Sequence, residues 1–195
     1  MSKLKIGVII GATRDSRFGP VPAQWICDLA KADPDIDAEL VDLKSFDLTM
    51  FNETASNAWM PSSDPHAVAW QKKVGEFDGY VIVTPEYNHS VPASLKNAFD
   101  QCSVEWGHKP VGFVGYGMMG AARAVEHARG IASELQMVST RNSVHIAGGE
   151  FVKVHPGMGK QPFDTIIDVI KPSAMLMLKD LVWWGKATRA ARVGA

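Results

Sequence analysis

Short apolar, β-branched runs recur along the chain, separated by stretches whose apolar residues return every three or four positions. The first pattern predicts strands and the second predicts amphipathic helices. Lys3 to Ile10 reads as a first strand, followed by a polar loop from Gly11 to Gly19. Gly19-Pro20 opens a helix, with proline placed in its first turn and Val21, Trp25 and Leu29 at helical spacing. Ile36 to Leu43 alternates apolar and acidic residues, as a strand near a sheet edge does. A long irregular stretch, Lys44 to Ser63, carries Phe46, Met50, Phe51, Trp59 and Met60. Asp64-Pro65 reads as a cap and first-turn proline for a helix to about Glu76.

Tyr80 to Thr84 predicts a third strand, with a helix from about Pro92 to Cys102. Val111 to Val114 predicts a fourth. The helix after it, from about Gly120 to Leu135, would bury Val125, Ala128, Ala132 and Leu135. A fifth strand lies within Met137 to Ile146. Ala147 to Pro162 reads as a Gly- and Pro-rich loop, and Pro172 starts or kinks a C-terminal helix carrying Leu178, Leu181 and Val182.

Five strands alternating with helices predict a single three-layer α/β domain over 1–195, with a parallel sheet. The expected class is flavodoxin-like: a five-stranded parallel sheet of order 2-1-3-4-5 with helices on both faces. In that order the helices carrying Cys27 and Cys102 lie on opposite faces, so no disulfide joins them.

Composition narrows the function. The chain has 195 residues, 20 basic and 21 acidic side chains and a net charge of −1, with no basic stripe. Nucleic acid and anionic membranes are therefore poor partners. No apolar run reaches membrane-spanning length, and Met-Ser-Lys-Leu-Lys lacks the apolar core of a secretory signal. A cytoplasmic protein with two inert thiols is expected. The six histidines show no His-x-x-x-His or His-Glu-x-x-His spacing, so no metal site is expected.

Three loops carry the chemistry. Gly11-Ala-Thr-Arg-Asp-Ser-Arg-Phe-Gly19 offers the hydroxyls of Thr13 and Ser16, the guanidinium groups of Arg14 and Arg17, and the N–H groups of a helix start. A phosphate needs that combination. The loop has no Walker ending, which disfavours a nucleoside-triphosphate machine. The second loop, within Thr84 to Asp100, joins Pro85, Glu86, Tyr87, Asn88 and His89, which suits a planar polar ligand. The third, Gly115-Tyr-Gly-Met-Met-Gly120, has dinucleotide-fingerprint spacing but follows the fourth strand, so it reads better as backbone that a flat ligand approaches closely. In the order 2-1-3-4-5 these loops meet at the carboxyl edge of neighbouring strands, with the shape of a flavin mononucleotide site.

These residues resemble the NADPH-dependent FMN reductase family, whose relatives include azo-dye, quinone and chromate reductases. The resemblance rests on Pro85-Glu-Tyr-Asn-His-Ser-Val-Pro-Ala-Ser-Leu-Lys-Asn-Ala-Phe-Asp100, on Gly11-x-Thr-Arg-x-x-Arg-x-Gly19, and on Lys109-Pro-Val-Gly-Phe-Val-Gly-Tyr-Gly with Gly120-Ala-Ala-Arg-Ala124. Leu181-Val-Trp-Trp184 adds to it. It implies bound FMN, with NADPH or NADH as hydride donor. It implies that Thr13, Arg14 and Arg17 hold the phosphate, with Ser16 and Phe18 of the same loop also at the cofactor. Pro85, Glu86, Tyr87 and Asn88 would line the ribityl chain and ring, and Tyr116 and Gly117 would cover the pyrimidine end. Ala12 and Arg17 stand where many members have serine, and Ala121 replaces a frequent glycine.

The expected activity is ping-pong hydride transfer to a small-molecule acceptor: free flavin, a quinone, an azo compound or a metal ion. No catalytic side chain is expected, because the flavin carries the chemistry. Family resemblance also implies a homodimer or tetramer. Two other readings exist: a non-catalytic flavodoxin-type electron carrier, disfavoured by the neutral charge balance and Arg14, and a dehydrogenase using Gly115–Gly120 for NADP.

Overall fold

The computed structural model describes residues 2–194. Strands β1 (Leu4–Ile10), β2 (Ile36–Asp42), β3 (Gly79–Pro85), β4 (Pro110–Tyr116), β5 (Val138–Ser139) and β6 (Val144–Ile146) form one parallel sheet. Its order is β2-β1-β3-β4-β5, and β6 also pairs with β4. The helices are α1 (Pro20–Lys31), α2 (Pro65–Gly75), α3 (Ala93–Asp100), α4 (Ala122–Glu134), α5 (Gly148–Val154) and α6 (Ile167–Gly194).

Strand periodicity builds the two cores. Ile6, Val8 and Ile10 of β1 pack with Ile26, Cys27, Met177 and Leu181 on one face, where α1 and α6 lie. Ile9, Ile82 and Phe113 point the other way, onto Trp70, Leu95, Phe99 and Val125 of α2, α3 and α4. β3 and β4 are buried throughout. That explains their unbroken apolar runs, since strands covered on both faces need no polar side. Cys27 and Cys102 are free and buried, and they lie in opposite cores.

The expected fifth strand is divided. β5 pairs with Pro110 and Val111, and β6 pairs with Val114 to Tyr116, so both extend the sheet beside β4. Thr140 N–H still donates to Val111 O at 2.9 Å, and Arg141 to Ser143 then turn out of the ladder, where Arg129 binds Thr140 O at 2.6 Å and Ser143 Oγ at 2.7 Å. The stretch read as a loop from Ala147 contains α5, which buries Phe151 and Val154. Pro172 lies inside α6, near its start, rather than at a boundary. α1 turns Ala23, Ile26, Cys27 and Ala30 inward, while Trp25 and Leu29 pack at the margin and Val21 is exposed.

A polar knot closes the pole of the sheet opposite the loops. Asp78, just before β3, accepts from Lys5 N at 3.0 Å, Arg192 Nη2 at 3.0 Å and Arg189 Nη1 at 3.4 Å. α6 is thereby tied to the starts of β1 and β3.

Candidate functional site

The loop between β1 and α1 is pinned at its base. Gly11 N–H donates to Val83 O at 2.9 Å, and Ser94 Oγ donates to Gly11 O at 2.9 Å. Beyond that base, Arg14 and Ser16 are exposed. Arg14 Nε donates to the Tyr87 hydroxyl at 2.6 Å, joining the first loop to the second. Thr13 lines a cavity of about 270 Å³ shared with Lys44, Ser94 and Asn97. Lys44 pairs with Asp15 of the loop.

Arg17 is placed differently from Arg14. Its side chain is only 10% exposed, and Nη2 lies 2.5 Å from Asp42 Oδ2 at the end of β2. Nη1 donates back to Arg14 O at 3.1 Å. Nε is buried and has no partner. Phe18 is buried below the loop, edge-on to Tyr116 at 5.4 Å and to Phe151 at 6.0 Å. Its side chain supports the loop from beneath.

The second loop is a tight turn. Tyr87 and Ser90 exchange backbone hydrogen bonds at 2.9 and 3.1 Å. Asn88 and His89 between them have φ of 50° and 70°. Positive φ at both central positions matches a type I′ turn, and asparagine adopts it at low steric cost. The turn holds the Tyr87 ring and Asn88 side chain outside β3 while Pro85 stays buried.

Glu86 turns toward α4. Its carboxylate accepts from Arg123 N at 3.0 Å, Ala124 N at 3.3 Å and Arg123 Nε at 2.5 Å, and its side chain is 7% exposed. It caps the positive end of α4, where an anion is favoured. Burial pushes the carboxyl pKa up, but the Arg123 guanidinium and the two N–H groups outweigh burial and hold it below its ordinary value. Arg123 also reaches His89 Nε2 at 2.6 Å, and His127 Nδ1 lies 2.7 Å from Ser90 Oγ.

The third loop leaves β4 at Tyr116, whose side chain is 4% exposed and lies under the first loop beside Phe18. Burial raises its hydroxyl pKa. Gly117 has φ of 142°, and a Cβ built there would meet nothing within 4 Å. Gly115 is confined instead: its Cβ would approach Gly120 O to 2.4 Å. The backbone at Gly117 is thus bare and open, while Met118 and Met119 are exposed next to it.

The expected residues therefore gather at one sheet edge, on loops after β1, β3 and β4. Thr13, Arg14, Ser16, Tyr87, Asn88 and Gly117 border open space. Phe18, Pro85 and Tyr116 lie behind them, Glu86 is bonded to α4, and Arg17 is bonded to Asp42. Asp42, Lys44, Arg123 and His127 escaped sequence reasoning. Their partners are 25 to 37 residues away. Of these, only Arg123 stood in a quoted motif, Gly120-Ala-Ala-Arg-Ala124, where it had no assigned role.

Comparison with known proteins gives the same answer. Residues 4–150 match the family described as NADPH-dependent FMN reductase. The chain belongs to that family. An NAD(P)H-dependent FMN reductase from Schizosaccharomyces pombe is 36% identical over 135 residues, 68% of each chain. A quinone reductase from Escherichia coli K12 is 30% identical over 166 residues, covering 81% of this chain and 85% of its own. The fold resembles a flavoenzyme NAD(P)H:(acceptor) oxidoreductase from Paracoccus denitrificans, with a TM-score of 0.69 at 19% identity, over 95% of this chain and 98% of that one. The protein is thus an oxidoreductase of the NADPH-dependent FMN reductase type, a family that uses FMN and NAD(P)H and acts on small-molecule acceptors.

The residues fit the cofactor. A phosphate oxygen would give the buried Arg17 Nε the acceptor it lacks. The exposed Arg14 guanidinium adds charge at the same loop. The bare backbone at Gly117 leaves space for a flat ring to approach. No described helix is long and apolar enough to cross a membrane.

Proposed function

We propose that this family member is a cytoplasmic, single-domain homodimer that runs a ping-pong reaction: NAD(P)H binds, reacts and leaves before a small acceptor takes its place. FMN, when bound, would supply the two-electron hydride chemistry between NAD(P)H and the acceptor. The protein supplies position and charge. Thr13, Arg14, Ser16 and Arg17 hold the phosphate end. Tyr87 and Asn88 fix the lateral position of the ring system, and Glu86 acts through α4, holding their turn in place. Tyr116 and Phe18 stiffen the loops from below. Gly117 N–H is taken by Ile146 O at 3.1 Å, so the N–H groups of Met118 and Met119 beside it provide the fixed dipoles for negative charge at the pyrimidine end.

The observation that carries this reading is the convergence of the three loops. Arg14 of the first bonds to Tyr87 of the second, and Tyr116 of the third packs on Phe18 of the first. A quinone among the acceptors is supported by likeness to the Escherichia coli quinone reductase and to a 2-hydroxy-1,4-benzoquinone reductase from Burkholderia, 34% identical over 142 residues.

Self-association is supported by the stretch from Met50 to Met60. Trp59 is 84% exposed, and Met50, Phe51 and Met60 are exposed beside it. The stretch is held in place: Asn97 bonds to Thr49 O and Phe51 N, and Glu53 binds Ser62, Ser63 and Asp64. A held apolar surface of this kind marks an interface.

The test is direct. Purified protein titrated with FMN is expected to bind it, and the complex to oxidise NADPH or NADH steadily when a quinone is added. Failure to bind FMN ends this reading. Binding without turnover would leave an electron carrier instead.

A further inference from the structure

Arg17 and Asp42 pair across the first loop and the end of β2. The Arg17 side chain is nine-tenths buried, so its charge needs a counter-ion, and Asp42 Oδ2 supplies one at 2.5 Å from Nη2. Nη1 is taken by Arg14 O, within the phosphate loop itself. Of the three guanidinium nitrogens only Nε, which is buried, makes no hydrogen bond. A buried guanidinium donor left unpaired is costly, and native proteins rarely keep one without a use for it. Asp42 is itself anchored: Oδ1 accepts from Lys44 N at 3.1 Å, which fixes the carboxylate at the end of β2.

We propose that Asp42 is a positioning residue for the phosphate end of the cofactor, holding Arg17 so that its Nε serves as a phosphate donor. This rests on the FMN reading above. Asp42 does not touch the cofactor. It keeps a cation stationary under the loop, where a free arginine would swing into solvent. Selectivity for FMN over riboflavin then depends on a residue outside the loop, because only FMN carries the phosphate that Nε would meet.

Two variants test it by fluorescence titration of cofactor-free protein with FMN and, in parallel, riboflavin. Asp42→Asn preserves size and can still accept from Lys44 N, but removes the counter-charge. It is expected to weaken FMN at least tenfold and riboflavin less than twofold. Arg17→Lys keeps the charge opposite Asp42 but removes Nε, and the same selective loss is expected. Circular dichroism and melting temperature establish that each variant is folded. Equal losses for both ligands, no loss, or tighter FMN binding by Asp42→Asn would overturn the proposal. So would wild-type FMN affinity in Arg17→Lys if Asp42→Asn fails to fold. If the unmodified protein binds neither ligand, it is the FMN reading that fails.

Discussion

Arg14 Nε lies 2.6 Å from the Tyr87 hydroxyl, and the guanidinium carbon sits 5.6 Å from the centre of the Tyr87 ring. The two loops assigned to opposite ends of one cofactor therefore touch each other. Both partners are accessible, so the contact contributes little to stability and can yield to a better one. A phosphate dianion is such a partner for a guanidinium. Arg14→Ala should therefore weaken FMN roughly tenfold or more while leaving the melting temperature within about 1 °C, a split that a folding defect would not produce. Riboflavin should lose far less. Isothermal titration with each ligand decides the point, and equal losses would remove Arg14 from the phosphate role.

Gly117 gives a second prediction. Its φ of 142° lies where L side chains rarely go, although nothing crowds the Cβ position. Gly117→Ala should therefore act through backbone strain, on the order of 1–3 kcal/mol. The loop can absorb that strain by losing stability or by changing its course beside the ring. A drop in melting temperature together with weaker binding of both FMN and riboflavin is expected. Unchanged values for all three would mean that the loop tolerates the residue and that its bareness has no role.

The three loops were legible because each sits where an apolar run gives way to helical spacing, and the carboxyl edge of a parallel sheet brings such places together. Their internal wiring was not. Glu86 looked like a ligand-facing carboxylate, yet it caps α4, because Arg123, 37 residues later, is brought beside it by the β3–β4 pairing. Arg17 looked free, yet it meets Asp42 through the β1–β2 pairing. α5 was hidden by Gly148 and Gly149, poor helix formers whose unfavourable propensity is overridden by burial of Phe151 and Val154. The break between β5 and β6 was equally hidden, since Arg129 holds it from another element.

Asp78 predicts where stability resides. It receives one backbone N–H and two guanidinium groups, which tie α6 to the start of β3. Asp78→Asn keeps the shape but leaves Arg189 and Arg192 without their carboxylate. A loss of roughly 2 kcal/mol is expected in urea unfolding, the range for breaking a partly buried ionic network. FMN affinity should change little, because the knot lies at the pole opposite the loops. A large affinity loss would mean that α6 transmits its attachment to the site.

Lys109 predicts a pH dependence of folding. It is buried, and Nζ reaches the Tyr80 hydroxyl at 3.1 Å and the carbonyls of Val74 and Gly75 at 3.4 Å. Burial, helped by the nearby Arg192, lowers its pKa from 10.5 to about 8. Between those values the unfolded chain holds a proton that the folded chain has released, so stability rises with pH. The full effect is roughly 3 kcal/mol. Four groups oppose it. Burial raises the pKa values of Cys27, Cys102, Tyr80 and Tyr116, so the folded chain keeps protons that the unfolded chain loses above about 9 and 10, and above 9 the two thiols outweigh the single lysine. Stability in urea is therefore expected to climb from about pH 8 to pH 9 and then to fall. Lys109→Met should abolish the climb and keep the fall. A climb that survives the substitution would assign it to another group, and its absence from the wild type would mean that Lys109 stays charged inside the fold.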